Sequence, residues 1–356
     1  MKFRGVIVKY LHLFSRDENC KFSTSYYYFI KNNFCLFDHN FVVINKNESI
    51  GSEKNIQVLS LKFHSIFRLI KKMYMAKRIY LHGLDFYMIL LLLFQPWFLK
   101  KTNWIIWGGD LYFHILKKRS IRNTIYDFTR KLIIKNVGGM ITQVKGDYEL
   151  AREWYQAKGK YYYCFLYPSN LYKDIDLSKI TKEKDKLYIQ VGNSACTTNE
   201  HIEVFEKLAK FKNSNIIIIC PLSYSGEKDY IDKVILKGLD IFGKERFFPI
   251  VNFIPFQDYV NLLGKIDVAI FNHRRQRALG NITTLLGLGK KVYIRTDITT
   301  WDFCENHGLV VYSANKEFND IFDPISIKDK ESNKRIMKEA FSMDKLASDW
   351  GKIFSA

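Results

Sequence analysis

Leu81-His82-Gly83 opens a stretch that runs through the apolar segment Phe86–Phe94 and breaks at Pro96. It then climbs from Asn103 to Trp107 into Gly108-Gly109-Asp110-Leu111-Tyr112. A β-rich apolar run that ends in two glycines and a carboxylate presents an acid at the carboxyl end of a strand, where open parallel sheets bind ligands. The glycines remove side-chain bulk and let a ligand approach the backbone. The same string also fits a strand followed by a tight turn in which Asp110 caps the next helix.

Outward from this stretch, strands and helices alternate. In the first half, strands are expected at Val6–Leu11, Phe41–Ile44, Arg78–Leu81, Trp104–Trp107, Gly139–Thr142 and Tyr161–Tyr167, with helices near 21–33, 62–76, 85–95, 119–135 and 147–156. Alternation of this kind implies right-handed crossovers and a mainly parallel sheet. A polar connector, Asp174–Asp185, follows. It contains a formal D-x-D, Asp174-Ile175-Asp176, but no strand leads into it, so it reads as linker.

The second half repeats the pattern, with strands expected at Leu187–Val191, Ile216–Cys220, Phe248–Ile254, Val268–Phe271, Lys291–Ile294 and Val310–Tyr312. A chain of 356 residues suits two domains. The expected division is an α/β domain over 1–173, a second over 186–330 and a C-terminal helix over 331–356.

Net charge is +19, and it is one-sided: residues 1–175 hold 28 basic against 12 acidic residues, residues 176–356 hold 27 against 24. A basic half attracts nucleic acid or an anionic membrane face. Its lysines stand beside apolar and aromatic residues in Lys71-Lys72-Met73-Tyr74, Trp97-Phe98-Leu99-Lys100-Lys101 and Phe113 to Lys117-Lys118-Arg119. That mixture suits a membrane interface, and no nucleic-acid motif accompanies it. The apolar candidate Leu84–Leu99 contains Asp85, Gln95 and Pro96 and falls short of the roughly 20 apolar residues that cross a bilayer. Lys9, His12 and Arg16 interrupt the N-terminal apolar stretch, which argues against a signal peptide. Six cysteines without C-x-x-C spacing fit a reducing compartment. The expectation is a cytoplasmic protein resting peripherally on a membrane.

Two loops of the second half suit an anion. Leu187–Val191 runs into Gly192-Asn193-Ser194-Ala195-Cys196-Thr197-Thr198, with a helix from Asn199 and Glu200 and His201 in its first turn. A small-residue turn opening a helix offers free amides and a positive dipole end, although helix capping alone gives a similar string. The second loop is Asn272-His273-Arg274-Arg275-Gln276-Arg277, followed by Gly280 and Asn281 at a helix start. Arginine forks match phosphate oxygens; a solvated basic loop reads the same way. Tyr224 after Pro221, and Phe253, Phe256 and Tyr259, suit either a base contact or packing.

Trp107-Gly-Gly-Asp-Leu-Tyr112 with His82-Gly83, then Val191-Gly-Asn-Ser194, Asn199-Glu-His201, Pro221 with Tyr224, and Arg275-Gln276 with Gly280 occur in one order. In this the chain resembles glycosyltransferase family 56, the TDP-Fuc4NAc:lipid II Fuc4NAc transferases, also called 4-alpha-L-fucosyltransferases. The resemblance implies a GT-B architecture, two Rossmann-like domains facing across a cleft. It implies a dTDP-activated sugar donor, a polyprenyl-diphosphate-linked acceptor and a product in bacterial surface polysaccharide (O-antigen or enterobacterial common antigen), with neither metal nor cofactor.

On this reading Asp110, with His82 second, deprotonates the acceptor. Gly192, Asn193, Ser194, Asn199, Glu200, Tyr224, Arg275, Gln276, Gly280 and Asn281 meet the donor, while Trp97, Lys100, Lys101, Lys117, Lys118 and Arg119 meet acceptor and membrane. No nucleic acid is expected, and the cytoplasmic face of the inner membrane is the expected site. A GT-B transferase using UDP- or GDP-sugars is an alternative. A non-enzymatic basic binding protein, which would not discriminate among nucleotide sugars, is another.

Overall fold

The computed structural model describes residues 9–15, 17, 21–44, 56–60, 62–177 and 180–356. The chain divides into two compact units, Met1–Leu171 with Met343–Ala356, and Tyr172–Ser342.

The first unit holds β1 (Tyr10–Ser15), β2 (His39–Ile44), β3 (Ile56–Leu59), β4 (Arg78–His82), β5 (Thr102–Ile105), β6 (Gly139–Thr142) and β7 (Lys160–Tyr163). Helices α1 (Lys21–Asn33), α2 (Phe63–Met75), α3 (Phe86–Phe94), α4 (Phe113–Leu116), α5 (Ile121–Asn136) and α6 (Lys145–Tyr155) connect them. The sheet order is β3-β2-β1-β4-β5-β6-β7, and the strands pair in parallel. Strands covered on both faces read as continuous apolar runs, as Phe41–Ile44 and Ile79–Leu81 do, every residue of them buried. Order reverses between β1 and β4, which places a switch-point crevice at Ser15 and His82-Gly83.

The second unit holds β8 (Leu187–Val191), β9 (Ile216–Pro221), β10 (Phe247–Ile250), β11 (Val268–Phe271), β12 (Lys291–Ile294) and β13 (Tyr312–Ser313). Its helices are α7 (His201–Leu208), α8 (Lys228–Phe242), α9 (Phe256–Lys265), α10 (Leu279–Gly287), α11 (Thr299–Asn306) and α12 (Ile327–Ala340). The parallel order β10-β9-β8-β11-β12-β13 repeats the first unit's logic, with its switch point between β8 and β11. Ile189, Ile216, Ile218, Val268 and Ile270 fill the core with Phe205 and Phe247.

Several expectations shift. The first strand is Tyr10–Ser15 rather than Val6–Leu11, of which 6–8 lie outside the described residues. Strand β3 was not expected, because Ile56-Gln-Val-Leu59 is a four-residue piece with a polar residue inside it. The tail forms two helices rather than one. α12 belongs to the second unit, while α13 (Met343–Ser355) belongs to the first, where Trp350 is buried and its indole donates to the Leu166 carbonyl at 3.0 Å. The apolar run after Leu84 is a nine-residue helix capped by Asp85, whose carboxylate accepts from the Met88 N–H. Among the described residues no helix is long and apolar enough to cross a membrane.

Candidate functional site

At the switch point of the second unit, β8 delivers its chain into Gly192 at φ +69, a conformation suited to glycine. A Cβ there would lie 2.5 Å from His201 Nε2 and 2.9 Å from Asn199 Oδ1. Asn199, fully buried, organises the loop. Its Oδ1 accepts from the Asn193 N–H (3.1 Å) and from His273 Nε2 (2.7 Å), and its Nδ2 donates to the Ser194 hydroxyl (3.4 Å) and the Cys196 carbonyl (3.0 Å). An amide oxygen only accepts, so His273 carries its hydrogen on Nε2.

Asn193 Nδ2 reaches the Tyr224 hydroxyl at 2.8 Å, and the Ala195 N–H meets the Tyr224 carbonyl, so the loops after β8 and β9 are tied together. The arginine loop after β11 joins them. Arg274 N–H donates to the Thr198 carbonyl, and its guanidinium Nε lies 2.8 Å from Glu200 Oε1. The Arg277 guanidinium stands 5.9 Å from the Tyr224 ring centre. Half-buried Arg275 donates to the Gln276 carbonyl at 3.2 Å, and exposed Gly280 is the second residue of α10. Asn281 Oδ1 accepts from Tyr259 Oη at 2.9 Å. Phe253 is exposed, and the side chain of Phe256 lies outside the described ones.

The field in this pocket of loops is positive. Burial pushes the Cys196 thiol up, but the Thr198 hydroxyl and N–H and then the Arg277 and Arg275 charges bring it below its ordinary value. The His273 imidazole is driven well down, first by burial and then by Arg277, His201 and Arg275. Charge, loop amides and the start of α10 favour an anion of diphosphate type. Asn193 Oδ1 is buried with no hydrogen-bond partner among the described residues and remains available to a donor group. No group of three or more His, Cys, Asp or Glu side chains among the described residues is placed to hold a metal ion.

In the first unit the turn after β5 is built on Asp110. Oδ2 accepts from the Leu84 N–H (3.0 Å) and Trp104 Nε1 (2.8 Å), and Oδ1 from the N–H groups of Trp107 and Leu111 (3.0 Å each). Arg130 of α5 donates to the Asp110 carbonyl. Four donors occupy the four acceptor sites a carboxylate offers. Burial raises the Asp110 pKa, opposed by Trp104, Arg130, Leu84 and Trp107. Thus the residue holds the Gly108–Leu111 turn to Leu84, just past the end of β4, and exposed Gly109 marks the turn's outer side.

His82 is fully buried in a chain of rings that sequence reading did not anticipate. Trp107 Nε1–H can only donate, so Tyr167 Oη accepts it (2.9 Å), and the same hydroxyl lies 2.6 Å from His82 Nδ1. His82 Nε2 lies 3.3 Å from His12 Nδ1, and His12 Nε2 lies 3.0 Å from His39 Nδ1, so each neutral ring can give one hydrogen bond and take one along the chain. Phe14 stacks on His82 at 3.8 Å between ring centres. Burial drives His12 and His82 far below the ordinary histidine pKa and takes His39 to about 4. The chain of rings is thus neutral. A histidine inside each of the strands YLHLFS, HNFVVI and RIYLH was the available signal.

The basic–aromatic residues divide. Trp97, Lys100, Lys118 and Arg119 are exposed, whereas Phe98 is buried. Lys101 donates to the Tyr74 and Ala76 carbonyls at the end of α2, and Lys117 lies 2.6 Å from Asp127. Those two lysines are held by protein partners.

A sequence-family profile described as 4-alpha-L-fucosyltransferase glycosyl transferase group 56 matches residues 30–350. Among solved structures the chain is similar to HepE of Anabaena in complex with UDP and glucose, with 13% identity, TM-score 0.69, and coverage of 98% of this chain and 100% of that one. It is similar to sucrose-phosphate synthase of Thermosynechococcus elongatus, with 11% identity, TM-score 0.72 and coverage of 98% of both. A glycosyltransferase of Rickettsia africae ESF-5 shares 12% identity and TM-score 0.66 over 98% of this chain and 97% of its own. These likenesses are of fold, the GT-B fold of glycosyltransferases.

Proposed function

The chain belongs to the 4-alpha-L-fucosyltransferase family, glycosyl transferase group 56, and from that premise we propose that it transfers Fuc4NAc, or a related deoxyamino sugar, from its dTDP-activated form. The acceptor is a polyprenyl-diphosphate-linked glycan at the cytoplasmic face of the bacterial inner membrane. The product enters a surface polysaccharide, O-antigen or enterobacterial common antigen. The observation that carries the donor assignment is the convergence of Asn193, Tyr224 and the arginine loop 274–277 at the switch point of the second unit.

In the reaction the acceptor hydroxyl oxygen bonds to the anomeric carbon, the bond from that carbon to the diphosphate oxygen breaks, and the electron pair leaves with dTDP. Arg275, with Arg274 and Arg277 and the start of α10, stabilises that charge, a role GT-B enzymes usually give to such groups. Gly192, Asn193, Ser194, Asn199, Glu200, Gln276, Gly280 and Asn281 shape or contact the donor. The hydroxyl proton goes to Asp110, which must first give up one of its four N–H partners. His82 is sealed from solvent and supports this turn through Tyr167 and Trp107.

A thermal-shift panel tests the donor. A ligand that binds the folded state raises the melting temperature by mass action. Saturating dTDP should raise it more than UDP or GDP does. Equal shifts from all three would remove the preference for dTDP, and no shift from any would favour a basic binding protein without donor specificity.

A further inference from the structure

Helix α5 exposes an apolar stripe to solvent. Its inward face carries Ile133 and Ile134 in the core and, toward its middle, the charged residues Asp127 and Arg130, all four buried. Asp127 receives His114, Lys117 and the Tyr155 hydroxyl, while Arg130 lies over the Phe113, Tyr126 and Tyr155 rings. Its outward face carries Ile121, Ile125, Phe128 and Leu132, which are 82%, 59%, 60% and 40% exposed. Their spacing of four, three and four residues lines them up along one stripe, roughly 16 Å long at 1.5 Å per residue. α4, directly before it, exposes Ile115 and Leu116 as well. A contiguous apolar face of this kind marks an interaction surface.

Charge says what covers it. From Ile115 to Asn136 there are seven basic residues and one acidic residue, and that acid, Asp127, is the buried one already paired with Lys117. Exposed Lys118, Arg119 and Arg122, with half-buried Lys131 and Lys135, therefore border the stripe with positive charge alone. Apolar side chains flanked by amines and guanidiniums match an acyl boundary beneath anionic headgroups.

We propose that the α4–α5 face is the membrane seat of the protein and lies on an anionic lipid leaflet, with Ile121, Ile125, Phe128 and Leu132 entering the headgroup–acyl boundary. The proposal rests on the membrane-linked acceptor proposed above and deepens it. The same helix that faces lipid holds the candidate acceptor turn from behind, since Arg130 donates to the Asp110 carbonyl. Docking of α5 thus fixes the position of that turn relative to the leaflet that carries the acceptor.

The test is co-sedimentation of the full chain with phosphatidylglycerol-containing vesicles and with pure phosphatidylcholine vesicles, for the parent and for Ile125→Glu/Phe128→Glu. The parent should prefer the anionic vesicles and lose binding at high salt. The double variant should bind at least roughly tenfold more weakly, while its dTDP-induced thermal shift stays that of the parent. A double variant that sediments like the parent would overturn the seat and leave the membrane-linked acceptor standing. A parent that binds neither vesicle would overturn the membrane location itself, and the seat with it. A parent dimer in sedimentation velocity that the double variant abolishes would show that a second copy covers the face instead.

Discussion

Asp110→Asn replaces one carboxylate oxygen with an NH2 group that only donates. Each oxygen of Asp110 accepts two N–H groups, Leu84 and Trp104 Nε1 on one, Trp107 and Leu111 on the other. Whichever way the amide turns, two donors lose their acceptor and face another donor. A buried unsatisfied donor costs about 1–3 kcal/mol, so two cost about 2–6 kcal/mol. The half-buried position lets water take part of the load, which sets the expectation at the lower end, about 2–3 kcal/mol. The assay is urea denaturation followed by tryptophan emission, to which Trp104 and Trp107 beside Asp110 contribute, with turnover measured where the variant is still folded. The expected result is a lower midpoint with an unchanged slope. If Asp110 also takes the acceptor proton, the folded variant should turn over roughly 10²–10⁴-fold more slowly. A midpoint equal to the parent's would refute the four-donor staple, and near-normal turnover of folded protein would refute the base.

Other outcomes follow from the same geometry. The folded state keeps His12, His39 and His82 neutral with pKa values below the ordinary one. Above about pH 6.5 they therefore contribute nothing to pH dependence; as pH falls below it, the unfolded chain gains protons that the folded chain refuses. Three such histidines should remove about 4 kcal/mol of stability by pH 5.5, and a urea midpoint equal at pH 7.5 and 5.5 would contradict this. Gly192→Ala should cost about 1–3 kcal/mol for backbone strain and also abolish the dTDP-induced thermal shift, because a Cβ strikes His201 and Asn199. Arg275→Ala should weaken dTDP binding by roughly 10–100-fold in calorimetric titration, the range for one charge-assisted bond; an unchanged affinity would reject its assigned contact.

What the sequence disclosed follows from how parallel sheets are built. Val268–Phe271 was legible because a central parallel strand is apolar on both faces, Leu187–Val191 because four of its five residues are apolar around Gln190, and the loops leaving them because small residues and arginines follow at once. Edge strand β3 was not, since it is four residues long and Gln57 leaves no apolar run longer than two. Nothing in Phe341-Ser342 announces a helix break, so the tail read as one helix. Asp110 was visible as a residue type at a strand end, but its donors come from 84, 104, 107 and 111, and only the fold assembles them. The partners of His82 lie on β1 and beyond β7, and His12 of β1 passes the chain on to His39 of β2, beyond the reach of any local pattern. The basic–aromatic clusters showed charge without facing: Lys101 and Lys117 turn to protein partners, and the exposed apolar stripe lies on α5 instead.

The central claim, transfer from a dTDP-activated amino sugar to a lipid-linked glycan, is tested most directly by incubating the purified protein with dTDP-Fuc4NAc and a polyprenyl-diphosphate-linked acceptor and following the acceptor by mass spectrometry. The account predicts an acceptor heavier by one Fuc4NAc residue, with dTDP released in equal amount. An acceptor left unmodified by dTDP-Fuc4NAc but extended from a UDP- or GDP-sugar by the same preparation would contradict it.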